Sequence, residues 1–238
     1  MAVSFRNHPR GSYGGQTAYA ELVTSGYGLR SGILTGKPAK RSERDSSVMR
    51  LVLLGAPGSG KGTQGAVLAD HFGIPHVSSG ELLRDHIAAG SDLGRRVGTF
   101  LLHGDLVPDA LVVEVVRDAI ASANNVGGYL LDGFPRTLAQ AERALDLAAP
   151  AGAVADAVVY LDVADDIARN RLAARAQADR PDDADPAAIE QRLKVFRAET
   201  IPLLNFYEQH GVLVSIDAEQ PVDLVTAAIL DALTVRRR

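Results

Sequence analysis

Short, nearly continuous apolar runs recur along the chain at 51–54, 129–131, 157–161 and 212–216. Between them the apolar positions return with helical spacing. Leu111, Val112, Val115, Val116 and Ala119, for example, fall on one face of a helix. A run of three to five apolar residues suits a strand buried on both faces, so the alternation predicts a parallel sheet with helices on both sides. Two stretches interrupt it. Around 76–107 short helices cluster, and around 176–186 the sequence Gln-Ala-Asp-Arg-Pro-Asp-Asp-Ala-Asp-Pro breaks any helix. Both are read as insertions above the carboxyl edge of the sheet, where ligands bind in such folds. There is no internal repeat.

The first 48 residues do not follow this pattern. They are rich in Gly, Ser and Tyr, show no sustained period, and carry seven Lys/Arg against three acidic residues. Such a segment cannot bury enough apolar surface to offset its ordering entropy, so a disordered leader is expected. Met49 lies just ahead of the first apolar run, separated from it by Arg50, which favours a natural start there and an over-extended reading frame before it. The domain is therefore placed at 49–238. Over the whole chain of 238 residues, 46% hydrophobic and 23% charged content is ordinary for a globular protein. A net charge of −4 gives no reason to expect a nucleic-acid partner. The chain has no cysteine, which excludes disulfides and thiolate zinc sites. No stretch looks long and apolar enough to span a membrane, and no targeting signal is evident, so the cytoplasm is the expected location.

The chemistry enters behind the first apolar run, at Gly55-Ala-Pro-Gly-Ser-Gly-Lys-Gly-Thr63. A strand that breaks into a glycine-rich loop and then a helix turns backbone N–H groups and a helix N-terminus toward a phosphate. Lys61 adds a mobile cation. Gly62 holds the place of the usual Ser/Thr, and the hydroxyl arrives one residue later at Thr63. The expected ligand is a nucleoside triphosphate. A second motif, Gly128-Tyr-Leu-Leu-Asp132-Gly-Phe-Pro-Arg-Thr137, sets a carboxylate at the end of another core strand. Beside a phosphate loop, Asp132 can hold Mg2+ through its waters. Arg136, stiffened by Pro135, reaches from the same strand end. It belongs to a set of arginines with Arg84, Arg171, Arg175, Arg180 and Arg192. Arg171 and Arg175 lie four apart on one helix face. Arginine binds phosphate bidentately and stays charged, and phosphoryl transfer needs cations around the migrating group more than it needs an acid or base. His76, His86 and His103 are read as ordinary surface or core residues, since no pair has metal-site spacing.

With these motifs the sequence resembles the nucleoside monophosphate kinases, their adenylate kinase branch most closely, from Met49 to about Leu233. The resemblance rests on GAPGSGKGTQ at 55–64, HVSSGELLR at 76–84, GDLVPD at 104–109, DGFPRT at 132–137 with Gln140, and RPDD at 180–183 followed by Arg192. It implies an α/β P-loop three-layer fold with a parallel five-stranded sheet, a small helical NMP-binding insertion at 78–107 and a short lid at 176–186. It also implies a monomer working on ATP, AMP and ADP with Mg2+ and no zinc. By the same resemblance, Gly58, Ser59, Gly60, Lys61, Gly62 and Thr63 hold ATP phosphates. Arg171 stacks on the ATP adenine, and the backbone near Gln220 borders that base. Ser79, Arg84 and the backbone of Asp105, Leu106 and Val107 contact AMP. Gly133, Phe134, Pro135 and Arg136 grip its phosphate, and Gln140 reads the adenine edge. Arg175, Arg180 and Arg192 surround the transferring group.

The sequence departs from the pattern in three places. Ser79 stands where threonine is usual, the short lid lacks the strand-built form and its zinc, and no glycine precedes Arg180. Two other readings are weighed against this one. A UMP or CMP kinase fits less well, because Thr137 and Gln140 follow the adenylate pattern and pyrimidine enzymes typically carry asparagine after FPR. A non-catalytic nucleotide switch would not need the second phosphate site at Arg84 and Arg136, and the sequence has no NKxD segment.

Overall fold

The central strand β1 (Met49–Gly55) is buried at every position, and its two faces feed different layers. Leu51 and Leu53 point into one apolar cluster with Leu130, Val159, Leu161 and Ile229. Val52 and Leu54 point into another with Leu131, Val158, Val97 and Val112. This period-two division of one strand between two cores explains why residues 51–54 are continuously apolar rather than alternating. Each fully buried leucine in it contributes roughly 1.5–3 kcal/mol of burial free energy.

The computed structural model describes residues 48–150, 152–176 and 185–236. The leader expected at 1–48 therefore falls outside the described residues except for its last member, as does most of the 176–186 segment with Arg180. After β1 come α1 (Lys61–Phe72), β2 (His76–Ser78), α2 (Ser79–Ala88), α3 (Asp92–His103), α4 (Asp109–Asn125) and β3 (Gly128–Asp132). Then follow α5 (Leu138–Ala148), β4 (Ala157–Asp162), α6 (Asp165–Ala176) and α7 (Pro186–Val195). A π-helical turn (Phe196–Thr200) leads into α8 (Pro202–Gln209), β5 (Leu213–Asp217) and α9 (Val222–Arg236).

The five strands form one sheet in the order β2-β3-β1-β4-β5. Every neighbouring pair is parallel. From β1 the chain crosses first toward the β2 edge and later, from β3, toward the β5 edge, so the direction of the connections reverses beside β1, the switch point where α/β folds open a crevice at the carboxyl edge. The four strands read from apolar runs are present. The edge strand β2 carries Val77 as its only strongly apolar residue and leaves no periodic trace, so only the family resemblance supplied a fifth strand. Among the described residues, no helix is long and apolar enough to cross a membrane.

The expected cluster of short helices is the pair α2–α3. Ser91 caps α3, its Oγ accepting from Gly94 N at 3.0 Å. Gly94 lets the two helices touch: a Cβ there would sit 2.0 Å from His86 O and 2.7 Å from Ile87 N. These are backbone atoms and cannot step aside. Gly94→Ala should therefore destabilise the protein by about 1–3 kcal/mol, although alanine alone would favour the helix by about 1 kcal/mol. Thermal or urea unfolding of the variant measures this, and a gain in stability would show that α2 and α3 are not in close register.

A candidate active site at the carboxyl edge of the sheet

At the end of β1 the chain turns through three glycines with positive φ: Gly55 (153°), Gly58 (84°) and Gly60 (98°). Gly58 is irreplaceable on two counts. Its φ disfavours any side chain, and a Cβ would meet Ala168 O at 2.4 Å. The loop rests on Ala56, Ala168 and Leu172, which form a small apolar cluster with α7 residues Ile189 and Leu193. Lys61 opens α1 and folds back on the loop, its Nζ donating to Gly55 O at 2.8 Å and Ala56 O at 2.9 Å.

Register places Asp132 beside this loop. On β3 it lies opposite Leu53 of β1 and Ser78 of β2. Burial pushes its carboxyl up, but His76, Lys61 and Arg136 together outweigh burial and hold it below the ordinary carboxylate value. His76 Nε2 stands 3.8 Å from Asp132 Oδ2. That is too far for a hydrogen bond, so His76 acts on the carboxylate through charge and polarity. Gly65 of α1 makes the room for it, since a Cβ there would lie 2.6 Å from His76 Nε2.

Arg136 follows the cis Phe134–Pro135 bond. Its Nε donates to Gly133 O at 2.7 Å, and the same carbonyl accepts from Ser79 Oγ at 2.8 Å. Protein surrounds the guanidinium while its surface stays open to water in the cleft. Burial lowers it from the ordinary arginine value, Asp132 opposes that shift, and Arg192 and Arg84 add to it. It remains a cation. The π-helical turn supports it from behind. Ile201 N–H reaches Phe196 O, five residues back, at 3.0 Å. Thr200 Oγ1 donates to Arg136 O at 2.9 Å.

These groups line one cleft of about 670 Å3. Of the residues expected at the site, Gly58, Gly60, Lys61, Gly62, Thr63, Arg175 and Asp132 lie on its walls. So do Ser79, Arg84, Asp105, Leu106, Val107, Gly133, Pro135, Arg136, Gln140 and Arg192. Ser59 and Phe134 are buried behind the lining, 2% and 5% exposed. Arg171 and Gln220 lie outside the cleft but near one another. Arg171 Nη1 donates to Ala218 O at 2.9 Å, and Gln220 Nε2 donates to Asp217 Oδ2 at 3.0 Å. Arg180 lies outside the described residues.

Other site residues escaped the sequence reading. His76 is half-buried in the cleft and faces Asp132 rather than being an ordinary core or surface residue. Gln64 is buried and ties α1 to α9, donating to Val222 O at 2.9 Å and accepting from Thr226 Oγ1 at 2.8 Å. Thr137, which the 132–137 motif had already marked, caps α5, its Oγ1 accepting from Gln140 N at 3.2 Å. No motif marks Thr200. The position of His76 directly before the 76–84 motif was the available hint.

A glycine loop at a helix N-terminus, a lysine folded onto that loop, an ionised carboxylate and four arginines in one cleft are suited to holding phosphates and stabilising charge that moves between them. The adenylate kinase family model matches residues 53–212. The chain belongs to the adenylate kinase family. It is an enzyme of that type, acting in phosphoryl transfer between nucleotides. The adenylate kinase of Xanthomonas campestris pv. campestris is 44% identical over 185 residues, covering 78% of this chain and 99% of the relative. The adenylate kinase of Thermobifida fusca is 43% identical over 188 residues, covering 79% of this chain and 100% of the relative.

Lys61 carries a further consequence. Burial, with Arg136 and Arg175, outweighs the attraction of Asp132 and lowers its ammonium to about 8 from an ordinary 10.5. Between those values the unfolded chain binds more protons than the folded one, so folding stability contributed by this group rises with pH from about 8 to 10.5. Lys61→Met should remove that rise and stabilise the ligand-free protein near pH 7 by about 1 kcal/mol, the effect of a partly buried group beside an open cleft being damped by solvent. Urea unfolding of both proteins across pH 7–10.5 tests this. Parallel stability curves would show that Lys61 titrates normally.

Proposed function

We propose that the chain transfers the terminal phosphoryl group of ATP to AMP, with Mg2+, to give two ADP. The observation behind this reading is the unbroken run of charge within one cleft. Lys61 lies at the glycine loop, Asp132 interacts with it, and Arg136 continues the run with Arg84 and Arg192 beside it. A hydrolytic switch needs cations for one nucleotide only. A second group of arginines beyond Asp132 suits an acceptor phosphate.

In this reading Gly58–Thr63 hold the ATP phosphates. Arg171, tied to the carbonyls of Ala218 and Glu219, walls the donor base together with the backbone near Gln220. Ser79, Arg84, the 105–107 backbone, Gly133–Arg136 and Gln140 take AMP. Arg175, Arg180 and Arg192 gather around the migrating group. The acceptor phosphate is largely dianionic at neutral pH and needs no general base, so the protein's work is alignment and charge stabilisation. Asp132, held ionised, and the Thr63 hydroxyl at the cleft supply hard oxygens that suit Mg2+. Among the described residues no group of three or more His, Cys, Asp or Glu could hold a metal unaided. That fits an ion which keeps its waters and shares the phosphates. Bound there, Mg2+ would neutralise charge on the donor phosphates.

Water must be kept from the phosphoryl group. Residues 78–107 and 176–186 are assigned to closure over acceptor and donor, a motion for which the adenylate kinase lid is itself a standard example. The catalytic unit is placed at 49–238, working as a cytoplasmic monomer.

The first test is a coupled assay of ADP formation from ATP and Mg2+ with AMP, CMP, UMP or GMP. Fast turnover with AMP alone supports the reading, and preference for a pyrimidine monophosphate overturns the specificity. Lys61→Ala and Arg136→Ala should each lower kcat/KM by about 100-fold or more with the fold intact. Activity within about tenfold of the parent would remove that residue from the mechanism. Deleting residues 1–48 should leave kcat/KM unchanged.

A further inference from the structure

Gln140 is 5% exposed yet lines the cleft, and both ends of its amide are already engaged. Its Oε1 accepts from the backbone N–H of Arg136 at 2.7 Å. Its Nε2 donates to the carboxylate of Asp109, the first residue of α4. Neither partner can exchange roles. A backbone N–H only donates and a carboxylate only accepts, so the amide can be oriented one way without leaving two groups mismatched. Swapping its oxygen and nitrogen would set N–H against N–H and oxygen against oxygen.

We propose that Asp109 is a specificity-determining positioning residue: with the Arg136 N–H it locks the Gln140 amide so that the cleft selects amino bases over keto bases. The inference rests on the reading above that Gln140 meets the base of the acceptor. A primary amide has two lone pairs and two hydrogens. With one of each committed, Gln140 has one lone pair and one N–H left for a ligand. That pair complements a base edge with a ring nitrogen acceptor beside an exocyclic amino donor, as in adenine or cytosine. Hypoxanthine, guanine and uracil present the reverse, a ring N–H beside a carbonyl. A freely turning glutamine could rotate to serve either edge, whereas a locked one cannot. Val107 and Val112, both buried, line the same cleft and limit the water that could repair a mismatch. Asp109 itself is exposed and lies outside the lining, so it acts through Gln140 and not on the ligand.

Steady-state kinetics of the full chain with AMP and inosine monophosphate test the lock in the parent, Asp109→Ala, Asp109→Glu, Gln140→Ala and the double variant Asp109→Ala/Gln140→Ala. In Asp109→Ala the AMP-to-IMP ratio of kcat/KM should fall about tenfold or more, the loss lying in KM for AMP and not in kcat. Asp109→Glu should recover part of it. In the Gln140→Ala background, Asp109→Ala should change the ratio no further, which a merely structural role at the start of α4 would not produce. Thermal unfolding of each variant verifies that it is folded. An unchanged ratio in folded Asp109→Ala, or an equal effect with and without Gln140, overturns the lock. If the parent instead prefers a pyrimidine acceptor, the AMP reading fails separately. The same variants then test the lock through CMP against UMP, with the same expected loss of discrimination.

Discussion

The structure depends on holding several cations close together in a cleft where, among the described residues, one buried carboxylate offsets them. Asp132 is that carboxylate, and it is placed by strand register: Leu53 on one side, Ser78 on the other. Burial alone would favour its neutral form, but Lys61, Arg136 and His76 reverse that preference. The dependence is mutual, because Asp132 is the attraction that opposes the burial of both Lys61 and Arg136. Taking away the carboxylate would leave a cluster of like charges, which is costly wherever water is limited. A ligand bearing phosphates would relieve the same strain from the opposite direction.

The scaffold around this point is stiff where the chemistry needs position. The glycine loop is seated on α6 and α7 through an apolar cluster, Gln64 ties α1 to α9, and Thr200 fixes the backbone of Arg136. Contacts also cross between the helical insertion and α7. Gln191 Nε2 donates to Asp105 Oδ1 at 2.8 Å, and a Cβ on Gly104 would strike Ala188 O at 2.6 Å. The wall that carries Asp105–Val107 is therefore coupled to the helix that carries Arg192. Two salt bridges, Arg169–Glu190 and Arg197–Asp165, join α6 to the α7 region on the exposed side. Exposed pairs of this kind contribute little energy singly.

Much of the architecture was legible in the chain. The run at 51–54 reads as a central strand because its two faces are buried in different cores, and the face of Leu111, Val112, Val115 and Val116 is the buried face of α4. The glycine loop was equally plain, since positive φ at Gly58 and Gly60 leaves a compositional mark. β2 left none, being three residues whose pairing with β3 is a long-range event. His76 and Thr200 were missed for the same reason: each acquires its role from a residue more than fifty positions away.

The sequence by itself determined four of the five strands and the helices between them, the phosphate loop and the residues that could carry charge, because periodicity, glycine conformation and side-chain chemistry are local properties. Only the tertiary structure decided which charges share a cleft, that Asp132 stays ionised there, and that the Gln140 amide is held between Arg136 and Asp109. Those outcomes depend on desolvation and on hydrogen-bond partners brought together from distant parts of the chain. Neither can be assigned until the sheet has set its register.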